Sequence, residues 1–333
     1  MSTTHQQQGQ RGSEVDSPDR GDKPRSAGGP SPSRHVDPTR RQQAIAAWAL
    51  ALPFTLLFLA FTLGPVLASL GMSVTDMRRV DIRTPFGVNF VGLDNFTKLI
   101  EDPLFRKVTL NTLLYLVLGV PLTMAIALFV AVLVNRVNRL KGFFRVGYYL
   151  PVVTSIVAVS VVWKYLYRDN GGLFNTVLSW VGVDGPGWLD STTLALPSLV
   201  LMAAWRNFGT LFVIFLAGLQ TIPKELNEAA EVDGANGWGR FRHITLPMLR
   251  PVMLFGAVIT GIGYLQFFEE AFIMTHGGPL DSTRSVTFYT FDQFGFGNLG
   301  YAAAASYLLF LAIVVLTFVQ FRLLGDREDK VKR

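Results

Sequence analysis

The sequence predicts an all-α membrane protein with six transmembrane helices. Half of its 333 residues are hydrophobic and only 16% are charged, with a mean hydropathy of +0.35. A soluble globule carries charge at about a quarter of its positions. Six apolar runs reach the about 20 residues that a helix needs to cross a bilayer core of roughly 30 Å. They lie near 45–72, 108–134, 147–167, 192–219, 251–275 and 301–323. Lys and Arg are also shared unevenly between alternate connections, as they are in chains that fix their topology by charge.

Ahead of the first run, residues 1–40 hold only Met1, Val15, Ala27 and Val36 as aliphatic or Met side chains. Such a segment cannot bury enough apolar surface to offset its ordering entropy, so a disordered cytoplasmic tail is expected there. It does not read as a signal peptide, because the apolar run that follows is too long for one. Residues 41–333 then form one transmembrane domain. Pro53 and Pro65 fall in the first run, Pro121 in the second and Pro197 in the fourth. A packed bundle tolerates them when neighbouring helices satisfy the freed carbonyls.

With the N-terminus inside, 20 of the 30 Lys and Arg residues are cytoplasmic, nine are outside and Arg206 is intramembrane. The connection Arg136–Arg145 is short, basic and free of acids, so it belongs inside. Both termini and residues 220–250 then share the cytoplasmic side. The formal charge of +6 therefore reads as topology and not as a nucleic-acid surface. There is no cysteine, which excludes disulfides and thiolate chemistry. The histidines, at 5, 35, 243 and 276, avoid every span. Neither a metal centre nor a Ser/His/Asp constellation is expected in the membrane.

The connection 220–250 is the most informative stretch. Thr221 is placed to cap a helix whose early positions hold Pro223, Glu225 and Glu228, which suit the positive end of the dipole. Leu226, Ala229, Ala230 and Asp233 recur at helical spacing and give a small, flat face. Gly234, followed by Ala235, is placed to end the helix. A second short helix is expected through Trp238, Phe241 and Ile244, closed by Pro247 after Leu246.

The spacing Glu228-Ala229-Ala230-x3-Gly234-x9-Ile244-x-Leu246-Pro247 resembles the cytoplasmic loop of ABC importer permeases of the carbohydrate-uptake family, the maltose and glycerol-3-phosphate type. Two further stretches agree. Met274-Thr275-His276-Gly277-Gly278-Pro279, with Ser282-Thr283 and Gly300-Tyr301-Ala302-Ala303-Ala304 after it, is similar to the outer end of the fifth helix and the start of the sixth in the first permease of such pairs. Phe90-Val91-Gly92-Leu93-Asp94-Asn95-Phe96 resembles their first outer loop. Together these cover most of residues 45–323. The resemblance implies an ABC importer type I permease fold with cytoplasmic termini. It implies an ATPase-coupling role for Glu228, Ala229, Ala230, Asp233, Gly234, Ala235, Ile244, Leu246 and Pro247. It further implies a second homologous permease, two ATPase subunits that bind ATP and Mg, an extracytoplasmic sugar-binding protein, and a prokaryotic cell membrane. The chain has no G-x-x-x-x-G-K-[ST] phosphate loop, so no cofactor is expected in it and it is read as a transport subunit, not an enzyme.

Arg206 lies near the middle of the fourth run, where an unpaired Arg costs roughly 2.5–3.5 kcal/mol, so it should face protein or water. Asn207 and Thr210 follow it. The fifth run carries Tyr264, Gln266, Phe267, Glu269 and Glu270. Polar hydrogen-bonding groups beside aromatic faces suit a sugar, which makes Arg206, Asn207, Thr210, Tyr264, Gln266, Phe267 and Glu270 the expected lining of a solute path. At the usual rise Arg206 and Glu270 sit about 13 Å apart in depth, so separate roles are expected for them. Glu269 and Glu270 also suit an outer interface, where carboxylates reach water. Trp163, Tyr165, Tyr167 and Trp188 are expected in an interfacial aromatic belt. Two other readings stay open: a permease for another small solute such as a phosphorylated polyol, and an ion-coupled carrier. The second would predict paired intramembrane carboxylates and an inverted repeat.

Overall fold

A computed structural model describes residues 38–84, 87–137 and 141–324. The disorder expected for residues 1–40 lies outside them up to residue 37. The first helix begins at Pro38, ahead of the expected boundary at residue 41. Among the described residues five helical runs are long and apolar enough to span a membrane, and a sharply bent pair supplies a sixth.

The chain divides between Leu59 and Ala60 into two units. The first contains α1 (Pro38–Phe58), exposed along its described length. In the second, after a π-turn over Leu59–Leu63, α2 (Gly64–Ser73) leads to an outer segment. There Asn95, the first-turn residue after Asp94 in α3 (Asp94–Glu101), donates to the carbonyls of Ser73 and Thr75 at 2.9 and 2.8 Å. That amide accepts the task of satisfying carbonyls freed at a helix end.

α4 (Pro103–Asn135) starts earlier than expected, because Asp102 caps it by accepting from the Leu104 amide at 2.8 Å and Pro103 fills its first turn. α5 (Lys141–Val153) and α6 (Ile156–Leu166) replace the single expected third span. They meet at 92°. The cause is local. Pro151 lacks an amide proton, Val152-Val153-Thr154 is β-branched, and the Thr154 hydroxyl donates to the Leu150 carbonyl at 2.9 Å. Ser155 leaves the helical region at φ −54, ψ 127 and restarts the chain in a new direction.

After α7 (Leu173–Trp180), α8 (Ala195–Gln220) is the most buried span. It is flanked by α4, α5 and the later α12. One core cluster joins Ala127, Ala131, Phe208, Phe212, Phe215 and Leu249. The expected interfacial belt is corrected here. Trp163 and Tyr167 are 7% and 2% exposed, packed with Phe174, Trp188 and Trp205. The Tyr167 hydroxyl donates to the Ser198 carbonyl at 2.8 Å. Tyr165 alone of the four is well exposed. The right-angle bend is the reason: it turns the end of the third segment back onto α8.

Beyond α8 come α9 (Lys224–Val232), α10 (Gly237–Arg240), a π-turn over Phe241–Thr245, α11 (Leu246–Met248) and α12 (Arg250–Leu265). The fifth span breaks at Gln266–Phe268 and resumes as α13 (Glu269–Met274). The freed Phe267 carbonyl accepts from the Ser285 hydroxyl at 2.6 Å, as a broken helix in lipid requires. α14 (Val286–Gly295) and α15 (Leu299–Leu324) complete the fold.

Candidate functional site

The break in the fifth span creates a cavity. It encloses about 280 Å³ against α8, and all seven residues expected to line a path border it: Arg206, Asn207, Thr210, Tyr264, Gln266, Phe267 and Glu270. The Arg206 Nη1 donates to Asn207 Oδ1 at 3.1 Å, while its buried Nε has no partner among the described residues. Glu270 is 7% exposed. Its Oε1 accepts from the Tyr115 hydroxyl at 3.1 Å and its Oε2 has no partner there. No ion pair joins Arg206 to Glu270 among the described residues, and both border the same cavity. Glu269 is exposed, and Glu270, at the next position, is buried. The outer-interface alternative thus suits Glu269 and fails for Glu270.

Aromatic groups form one wall. Tyr115 stacks on Phe267 with ring centroids 3.8 Å apart and lies 5.0 Å from Tyr264. The Tyr264 and Thr123 hydroxyls lie 2.7 Å apart. This packing depends on Gly119, since a Cβ there would sit 1.8 Å from Tyr264 Cε1. Sequence reasoning missed Tyr115, Ile156, Thr260 and Gly263 as lining residues. The available signal was the polar and small series Asn111, Thr112, Tyr115, Gly119 and Thr123, recurring at helical spacing in an otherwise apolar run.

The 220–250 connection is largely exposed. Thr221 does not cap α9. It is the C-cap of α8, its hydroxyl donating to the Gly218 carbonyl at 2.8 Å, and Pro223 precedes α9. The Gly234 stop holds. Gly234 has φ +80, its amide donates to Glu231 at 3.0 Å, and Ala235 donates to Ala230 at 2.8 Å. That pair of bonds is the Schellman arrangement, which needs a left-handed residue at Gly234. Asn236 then caps α10 by accepting from the Gly239 amide at 2.7 Å. Arg240 pairs with Glu231 and ties the two short helices together.

Pro247 does not close the second helix. The backbone widens into the π-turn and continues through Leu246–Met248 towards α12. Pro247 cannot donate to the preceding turn, and a π-turn is one way to accommodate that. Ile244 and Leu246 are half-buried, whereas Glu228, Ala229, Asp233, Gly234 and Pro247 face solvent. Val232 and Trp238 are 88% and 67% exposed.

At the other end of the fifth span, the Gly277-Gly278-Pro279 stretch is a turn pinned to α4. Lys107 donates to the Leu280 carbonyl at 2.6 Å, and Asn111 to those of Asp281 and Arg284 at 2.7 and 3.0 Å. Arg284 bridges Asp281 and Asp292 at 2.8 and 3.2 Å. Burial holds the Asp292 carboxyl above its usual range, with Arg284 pulling the other way.

Comparison with known proteins agrees with this architecture. The chain is 34% identical over 296 residues to the lactose transport system permease protein LacF of Rhizobium radiobacter, covering 87% of this chain and 97% of that one. It is 32% identical over 287 residues to the arabinooligosaccharides transport system permease protein AraP of Halalkalibacterium halodurans, covering 85% and 89%. Among solved structures, a bacterial alginate ABC transporter in complex with an alginate pentasaccharide-bound periplasmic protein superposes with a TM-score of 0.73. That match covers 86% of this chain and 96% of the other at 23% identity, and it supports the fold. Residues 106–328 match the family described as binding-protein-dependent transport system inner membrane component. The family match and these relatives place the chain in that family of ABC permeases, as a transport subunit rather than an enzyme.

Proposed function

We propose that the chain forms the translocation pathway for a sugar, a di- or oligosaccharide, in an ATP-driven importer. The observation that carries this is the cavity beside the break in the fifth span, where a guanidinium, carboxyls, amides and aromatic rings converge. Hydroxyl-rich solutes are held by such mixed donors and acceptors, and a small concave site with few placed polar groups is the usual form of a binding pocket. Relatives named for lactose, arabinooligosaccharides and trehalose/maltose transport support a sugar as cargo.

In this reading an extracytoplasmic sugar-binding protein delivers the solute, and a second homologous permease completes the path in a prokaryotic plasma or inner membrane. Both termini and residues 220–250 are cytoplasmic. The exposed surface from Glu228 to Pro247 docks in one of two ATPase subunits, which bind ATP and Mg; this chain holds no cofactor. The test is uptake of labelled lactose, maltose and arabinotriose by cells lacking this chain. Uptake of at least one should vanish and return with the wild-type chain but not with Gly234→Arg. Uptake of all three that ignores the deletion would overturn the reading.

A further inference from the structure

Resting on the sugar-importer reading, we infer that this cavity selects uncharged, hydroxyl-rich sugars and rejects acidic ones, with Arg206 and Glu270 each meeting a hydroxyl of the solute. Two unsatisfied atoms carry the argument. Arg206 Nε and Glu270 Oε2 are both buried, both belong to residues lining the same cavity, and both lack a partner among the described residues. A buried polar atom without a partner costs free energy until something meets it.

The two groups ask for different things. Arg206 Nε can only donate and Glu270 Oε2 is placed to accept. A hydroxyl does both, so hydroxyls of one sugar can accept from Arg206 and donate to Glu270. A sugar carboxylate or a phosphate can accept from Arg206 but brings no proton to Glu270. It would also meet two carboxyl groups, Glu269 and Glu270, against a single guanidinium. Arg206 gives one Nη donor to the neutral Asn207 amide, and its buried Nε is left for a solute oxygen. Like charges interact strongly where water is excluded. The stacked Tyr115 and Phe267 rings add an apolar wall on the remaining side.

The test uses the whole importer, this chain with its genomic partner subunits, in lipid nanodiscs without the binding protein, whose own selectivity would mask the cavity. Saturation-transfer NMR reads binding of lactose, maltose and arabinotriose against digalacturonate and glycerol 3-phosphate. At least one neutral sugar should bind at least tenfold more tightly than either anion. Arg206→Gln should weaken that sugar about tenfold without admitting the anions. Glu270→Gln should narrow the gap to about threefold or less. Glu269→Lys, which reverses the charge of the exposed carboxyl bordering the cavity, should narrow it similarly. An anion that binds as well as the neutral sugars overturns the inference, as does a gap that Glu269→Lys leaves unchanged. Absence of binding by every neutral sugar also overturns it. Cellular uptake then separates the two readings: sugar uptake that still depends on this chain keeps the importer and removes only the selection rule.

Discussion

At the scale of single residues, the two glycines described above fail in different ways when replaced. Gly119 is a matter of space. Gly119→Ala places a methyl group 1.8 Å from Tyr264 Cε1, and overpacking of this kind costs about 1–3 kcal/mol. The melting midpoint of the purified protein in detergent should fall, and adding Tyr264→Leu should restore much of it. Gly234 is a matter of conformation, since nothing lies within 4 Å of a Cβ built there but φ is +80. Asn tolerates that region and Arg does not. Gly234→Asn should therefore keep transport while Gly234→Arg abolishes it with the protein still in the membrane. Full uptake by the Arg variant would remove the coupling role from this turn. The seven lining residues were legible because they cluster: Arg206, Asn207 and Thr210 interrupt one apolar run, and in another Tyr264 and Phe267 stand among Gln266 and the carboxyls. Tyr115 was not, because a tyrosine in a span reads as an ordinary aromatic until the break in the fifth span brings Phe267 and Glu270 to it.

At the scale of elements, helix existence was legible and helix continuity was not. Hydropathy located the spans within a few residues. It could not locate the bend at Thr154–Ser155 or the break at Gln266–Phe268, because an average over a span-length window absorbs interruptions as short as Thr154-Ser155 and Gln266. The break in the fifth span also depends on a distant partner, the Ser285 hydroxyl. The short helices erred in the opposite sense. Thr221 and Pro247 carry strong local signals, but Thr221 ends α8 and Pro247 falls in α11, just past a π-turn on the way to α12. The Gly234 stop is the local signal that the structure keeps, and Asn236 caps the short helix after it. Asn236→Ala should remove about 1 kcal/mol from α10. Hydrogen exchange should show faster exchange at the Gly239 amide with little change in the spans. Unchanged protection at Gly239 would mean that Asn236 does not hold the turn.

At the scale of the whole molecule, the charge bias predicts which ends face which side. The native chain has no cysteine, so single cysteines report topology without background. Val232→Cys and Leu280→Cys replace two well-exposed side chains. With an impermeant maleimide on intact spheroplasts, position 280 should label at once and position 232 only after permeabilisation. The reverse pattern would invert the topology and take residues 220–250 away from any ATPase. Fold class and span number followed from composition because lipid leaves the backbone few choices. The cavity's interior followed less completely, because it is assembled by segments far apart in sequence.

The exposed helix pair is joined directly to the two rods that line the cavity. α8 runs from Arg206 and Thr210 down to Gln220, and α12 returns from Arg250 to Tyr264. From Arg250 to Tyr264 the helix is about 21 Å long at the usual rise. If the pair is turned through about 5°, an arm of that length sweeps its far end by about 2 Å. That arc is close to the difference between a made and a broken hydrogen bond. On the proposed function, a modest tilt at one face of the membrane would be enough to let go of a hydroxyl held in the cavity, with the gearing set by the length of the helices themselves.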